Sequence, residues 1–100
     1  MMKPAFLAAA AIAISAAAAA AGPIDSACMK SGRSQNASLC GCIQSVADMT
    51  LSGSDQRLAA KFFLDPGKAQ EVRSSSSRRH QDFWQRYTAF GTTAEAMCAQ

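Results

Sequence analysis

The chain has very little of what most active sites are built from. Its 100 residues include one histidine, His80, and seven acidic residues that are scattered singly. No nucleophile has a recognisable orienting partner, and no pair of carboxylates stands at a readable spacing. The sequence therefore predicts a protein that is not an enzyme, with no cofactor and no catalytic residue.

Signals for β-structure and for a strong charge of one sign are also missing. No run alternates between apolar and polar residues, and no hairpin turn lies between branched residues. The formal net charge is +3, which is too small to indicate a nucleic-acid partner. The missing β-signals favour an all-α protein. Because the small charge does not indicate nucleic acid, the expected partner is an unknown envelope protein or a small ligand.

The one long apolar run lies at the N-terminus and is mostly alanine. Lys3 precedes this run, which extends from Ala5 to Ala21 and ends in small residues. A positive start, a short apolar stretch and an A-x-A end are typical of a secretory signal peptide. We predict a signal peptide over residues 1–21, and therefore a location in the periplasm or outside the cell. Cleavage after residue 21 of the 100 leaves 79 residues with no transmembrane segment.

The mature part is predicted to be one domain, with an N-terminal loop over residues 22–36 and a helical domain over residues 37–100. Asn36 is a candidate N-cap for a helix over about 37–51, and Ser54 for a second over about 55–64. Asp65 and Pro66 end that helix and can begin a short third one. Ser77 is predicted to cap a long last helix with a weak point at Gly91. The fold class is therefore a small bundle of three to four helices.

Apolar residues recur at helical spacing within these segments. The first helix has a stripe of Leu39, Cys42, Ile43, Val46, Met49 and Thr50, and the last helix continues its stripe to Met97 and Cys98. The predicted core has six aromatic residues, namely Phe62, Phe63, Phe83, Trp84, Tyr87 and Phe90.

Four cysteines remain after the predicted cleavage: Cys28, Cys40, Cys42 and Cys98. An even number of cysteines in a short exported chain indicates disulfides. Cys40 and Cys42 lie about 200° apart around a helix axis, so each needs its own partner. Because Cys42 and Cys98 both fall in apolar stripes, the preferred pairs are Cys28–Cys40 and Cys42–Cys98. The swapped pairing, Cys28–Cys42 with Cys40–Cys98, stays open.

Two functional alternatives exist for the Cys-x-Cys pair. Thiol-redox enzymes favour Cys-x-x-Cys at the start of a helix, a spacing that this chain lacks. A zinc or copper site could recruit His80, but no second ligand pair is present. We therefore predict structural disulfides and no metal site, with a thiol-redox or metal carrier as the alternative.

One basic and aromatic stretch is the best candidate for a contact surface. Four arginines in and around it could bind an anionic partner: Arg73, Arg78, Arg79 and Arg86. The competing interpretation is a solvated helix face above a buried aromatic stripe. His80, in the same stretch, is expected to be a surface residue.

The segments "CGCIQSVAD", "SDQRLAAKFFLDPGKAQEVR" and "FWQRYTAFG", together with Cys98, resemble a family of short exported bacterial proteins. Members of that family are mostly uncharacterised, and some are labelled "arginine transporter". A mature chain without a spanning segment has no permeation path, so the label implies at most an accessory that binds arginine or another basic amino acid. From the residues themselves we expect an exported, disulfide-stabilised interaction or accessory module.

Overall fold

The computed structural model describes residues 22–32 and 36–99, and the predicted signal peptide lies outside these residues. The described residues form five α-helices and no strand: α1 Pro23–Lys30, α2 Ala37–Thr50, α3 Gly53–Leu64, α4 Pro66–Ser74 and α5 Arg78–Cys98. The all-α, disulfide-stabilised fold is therefore confirmed, with one helix more than the three to four predicted. No helix in these ranges is long and apolar enough to cross a membrane.

The prediction of a loop over residues 22–36 was wrong, because most of this segment is helix α1. Gly22 is its N-cap and Pro23 occupies the first helical position, where a missing N–H costs nothing. Ile24, Ala27 and Cys28 follow at helical spacing and are all buried. At Gly22 there is no room for a side chain, since a Cβ would lie 2.5 Å from Cδ of Gln44.

Helix α2 begins where the sequence predicts, but its buried face is rotated. The Asn36 side chain caps the helix by accepting a hydrogen bond from Leu39 N at 3.1 Å. The most buried residues are Cys40, Gln44, Val46 and Ala47, whereas Met49 of the predicted stripe is 63 % exposed. The reason is that α2 packs against two helices, α1 and α5, and not against one.

The remaining helix ends follow local capping chemistry. Helix α3 begins earlier than predicted, because Ser52 and not Ser54 accepts the hydrogen bond from Asp55 N. Asp65 both ends α3 and caps α4, where its carboxylate accepts from Gly67 N at 3.0 Å. Ser77 caps α5 as predicted, and α5 continues through Gly91 without a break.

The core is shared by all five helices, since Ile24 of α1 belongs to the same buried cluster as residues of α2, α3, α4 and α5. Phe62, Phe83 and Phe90 are buried as predicted, while Phe63, Trp84 and Tyr87 are half-buried. Tyr87 joins these rings, since its centroid lies 5.1 Å from that of Phe62 and 5.9 Å from that of Phe90. Each large side chain buried here contributes about 1.5–3 kcal/mol to folding. Met97, placed in the predicted stripe of α5, is 59 % exposed.

Two disulfides hold α2 on two sides. Cys28 of α1 is bonded to Cys40, with a Cα–Cα distance of 5.7 Å. Cys42 is bonded to Cys98 of α5, with a Cα–Cα distance of 5.9 Å. This is the pairing that the sequence favours over the swapped one.

A buried polar network connects α1, α2 and α3. The Gln44 side chain accepts a hydrogen bond from Asp25 N at 2.9 Å and donates to Oε1 of Gln56 at 2.8 Å. The Gln56 amide donates in turn to the carbonyl oxygens of Ala47 and Leu51. The network thus adds hydrogen bonds at the C-terminal end of α2, at Ala47 and at the C-cap residue Leu51, while it anchors the first turns of α1 and α3.

Candidate functional site

The first turn of α5 contains basic residues at a position where cations lower the stability of a helix. Arg78, Arg79 and His80 are its first three residues, and no acidic residue lies in this turn. The N-terminus of a helix is the positive end of its dipole, where Asp and Glu are stabilising and cations are not. Arg78 and Arg79 are exposed, so their position contributes nothing to the core.

Arg86, two turns further along α5, has a defined partner. Its Nε donates to Oδ2 of Asp55 at 2.6 Å, and its Nη2 donates to Oδ1 of the same carboxylate at 3.1 Å. Asp55 is buried in the first turn of α3, whereas about half of the Arg86 side chain is exposed. The hydrogen bond to Asp55 raises the pKa of Arg86 above its ordinary value, and the negative charges of Asp55 and Asp82 act in the same direction, while partial burial opposes them.

A cavity lies between α3 and α5 beside this ion pair. Its volume is about 340 Å³, and we call it the arginine cavity. Leu58 and Phe83 provide apolar walls. The polar lining residues are Ser54, Asp55, Arg79, His80 and Arg86. Two of the four arginines predicted as a contact patch therefore meet at one cavity.

The other two predicted arginines lie near this cavity in sequence without lining it. Arg78 directly precedes Arg79, and Arg73 lies in the last turn of α4, before the Ser75–Ser77 linker. We call the four residues Arg73, Arg78, Arg79 and Arg86 the basic face. One of the four, Arg86, is ion-paired with Asp55, so the basic face has fewer N–H donors available to a partner than the sequence suggests.

His80 is not the surface residue that the sequence predicts. It is half-buried, and its Nδ1 atom is buried with no hydrogen-bond partner among the described residues. A buried ring nitrogen without a partner is uncommon in folded proteins. His80 is therefore a side chain with unused hydrogen-bonding capacity at the edge of the arginine cavity.

All four cysteines are in disulfide bonds. None of the four is a free thiol, and no group of three or more metal-ligating side chains occurs within residues 22–32 and 36–99. In this state none of the four cysteines offers a thiolate for exchange or for a soft metal.

A guanidinium ligand would meet competition in the arginine cavity. Asp55 is the carboxylate that lines it, and both of its oxygens already accept hydrogen bonds from Arg86. Free arginine would have to displace Arg86 to use this carboxylate.

Two further cavities have fewer charged side chains in their lining. One, of about 370 Å³, lies beside the Cys42–Cys98 disulfide and is lined by Leu39, Ile43 and Ala94. The other, of about 280 Å³, is lined by Phe62, Phe63 and Tyr87 with residues of α4. Glu95 is the charged residue that lines the first of these, and none lines the second.

Sequence reasoning missed Asp55, the residue that fixes Arg86. The two residues are 31 positions apart, and a carboxylate in the first turn of a helix is ordinarily explained by the dipole alone. No spacing rule connects them, because their contact depends on how α3 crosses α5.

Comparison with protein-family models, with curated proteins and with solved structures finds no match to this chain.

Proposed function

We propose that the protein is an exported, non-enzymatic interaction module that binds an acidic protein of the cell envelope through its basic face. Two intramolecular disulfides are typical of exported proteins, and they give a rigid scaffold on which a surface can be displayed. The alternative role as a thiol or metal carrier would require opening one of these disulfides.

One observation carries the proposal, namely the position of Arg78 and Arg79 at the positive end of α5. Cations there lower helix stability slightly, by about 0.3–1 kcal/mol each. Local rules are commonly broken at functional sites and kept elsewhere. Helices α1 and α3 keep the rule, with Asp25 and Asp55 in their first turns, whereas α2 has no charged residue there and α4 has the single cation Lys68.

An acidic protein fits this surface better than a lipid headgroup does. Mobile exposed cations are sufficient to hold a protein at an anionic membrane. Here one arginine is held by a buried carboxylate beside a cavity with apolar walls. Fixed donors next to a recess are suited to a partner that has a shape of its own.

The test is crosslinking in the cell followed by capture of the exported, processed protein. We expect the charge reversal R78E/R79E to abolish capture of the partner, and added salt to weaken capture by the native protein. The matched control is K30E/K61E, which makes the same change in net charge at the exposed last turns of α1 and α3.

Equal loss of capture in both variants would show an effect of net charge alone and would contradict the proposal. Salt-sensitive binding to acidic lipid vesicles, with no protein captured in a manner that depends on Arg78 and Arg79, would also overturn it in favour of a membrane surface.

A further inference from the structure

The arginine cavity has the construction of a site for a small anion. Its volume of about 340 Å³ lies within the ordinary range for sites that enclose a small molecule. Leu58 and Phe83 give it an apolar interior, and Phe83 is only 2 % exposed. Charged groups line the same cavity, so a ligand there can contact both hydrocarbon and cations.

Arg86 presents part of its guanidinium group in a fixed orientation. An arginine side chain has five N–H donors, and Asp55 accepts from Nε and from Nη2. Nη1 makes no hydrogen bond with any described residue. The bond to Asp55 thus holds the group in place while leaving donors for a second acceptor, which lowers the entropy cost of binding one.

The charges that line the cavity do not balance. Arg79 and Arg86 are two cations, and Asp55 is one anion. Asp82, whose charge acts on Arg86, does not line the cavity, so the lining residues carry one net positive charge. An anionic ligand would neutralise it, whereas a cationic ligand would add to it.

The unpartnered nitrogen of His80 gives an independent indication. Nδ1 is buried without a partner in the described part of the chain, and His80 lines the same cavity as both arginines. When protonated, a ring nitrogen donates a hydrogen bond. The described residues leave this atom unsatisfied, and an acceptor on a ligand would satisfy it once the His80 ring turns toward the cavity, because the atom itself is buried.

We infer that the arginine cavity binds a single carboxylate group attached to a small apolar body. The carboxylate accepts from Arg86, with Arg79 and His80 beside it, and the apolar body lies against Leu58 and Phe83. Such a group can be a free organic acid or the C-terminal carboxylate of a polypeptide that ends in an apolar residue. The inference rests on the proposed function in one respect, since Arg79 belongs both to the basic face and to the arginine cavity.

The test is an amide NMR titration of the exported, disulfide-closed protein with phenylacetate. We expect saturable shifts at Ser54, Leu58, His80 and Phe83, with a millimolar dissociation constant, as suits so small a ligand. The neutral isostere phenylacetamide should bind at least about tenfold more weakly, because it lacks the charge-assisted hydrogen bonds. Free arginine should produce no saturable shift at these residues.

Two variants separate the cavity from general electrostatics. R79Q changes a residue that lines the cavity and has no structural partner in it, and it should weaken phenylacetate binding about fivefold. R73Q makes the same change at an exposed arginine outside the cavity and should leave the affinity within about twofold.

A peptide arm identifies the source of the carboxylate. A short peptide ending in Phe with a free C-terminus is compared with the same peptide amidated at its C-terminus. Stronger binding of the free-acid peptide than of phenylacetate indicates a polypeptide ligand, and the reverse order indicates a free organic acid. Both results support the cavity as a carboxylate site.

Equal binding of phenylacetate and phenylacetamide, no saturable shift with either, or equal effects of R79Q and R73Q would overturn the inference. The failures are distinguishable. Loss of capture by R78E/R79E without phenylacetate binding refutes the cavity site and leaves the proposed function. Phenylacetate binding without that loss of capture refutes the proposed function and leaves the cavity site.

Discussion

Two adjacent residues in α3 show how single side chains hold this small domain together. Asp55 faces α5 and bonds to Arg86, while Gln56 faces α2 and bonds to Gln44 and to two carbonyl oxygens. Both are polar, and both are buried. Buried polar groups are tolerated only where their hydrogen bonds are satisfied, so each of these two residues defines where its partner helix must lie.

The Gln56→Ala substitution should lower the free energy of unfolding by about 2 kcal/mol, because it removes the buried hydrogen bonds that this side chain makes with Gln44 and with two carbonyl oxygens. Urea unfolding followed by circular dichroism measures the change. The control is Gln85→Ala at an exposed position of α5, which should change stability by less than about 0.5 kcal/mol. Equal effects of the two substitutions would show that the network contributes nothing specific.

At the scale of the helices, the sequence predicts most of the helix positions but assigns the wrong buried face to α2. The starts of α2, α4 and α5 follow from Asn36, Asp65 and Ser77, because a side-chain cap is a local interaction. Helix α1 was missed because it has only eight residues, although Pro23 at its first position and buried Ile24 and Ala27 at helical spacing were usable signals.

The misplaced face of α2 follows from that omission. With α1 taken as a loop, a single apolar stripe facing α5 accounts for α2, and Met49 is assigned to the core. Once α1 is present, Cys40 and Gln44 contact a second helix, through the Cys28 disulfide and the hydrogen bond from Asp25 N. Similarly, the sequence indicates the four arginines but not the arginine cavity, which depends on a contact between residues 55 and 86 that no local pattern encodes.

Helix α5 contains a glycine in its interior, and this gives a prediction at the same scale. Gly91→Ala should raise the free energy of unfolding by about 0.5–1 kcal/mol, because alanine loses less backbone entropy on folding. The new Cβ meets nothing within 4 Å. Chemical denaturation again provides the measurement.

Gly22→Ala is the matched contrast, and it should lower stability. There the new Cβ would lie 2.5 Å from the Gln44 amide, which is held in place by hydrogen bonds to α1 and α3. A gain in stability at residue 22, or a loss at residue 91, would contradict these assignments.

At the scale of the whole molecule, the two disulfides supply much of what a small core cannot. Cys28–Cys40 spans a sequence separation of 12, and Cys42–Cys98 spans 56. By the chain-entropy model, loops of these lengths correspond to about 3 and about 4 kcal/mol of stabilisation. Chains of this size commonly depend on such crosslinks. Together the two bonds hold α2 between the first and the last helix.

The central claim of this account is that all four cysteines are structural, so that the protein acts as a fixed scaffold and not as a carrier of thiols or metal. It is tested most directly on protein isolated from the cell with thiol exchange blocked. Trypsin leaves Cys40 and Cys42 on one peptide, because only Gly41 separates them. The connectivity is therefore read by partial reduction, stepwise alkylation and tandem mass spectrometry.

The account predicts no free thiol, with Cys28 bonded to Cys40 and Cys42 bonded to Cys98. Four free thiols, or the swapped pairs Cys28–Cys42 and Cys40–Cys98, would contradict it.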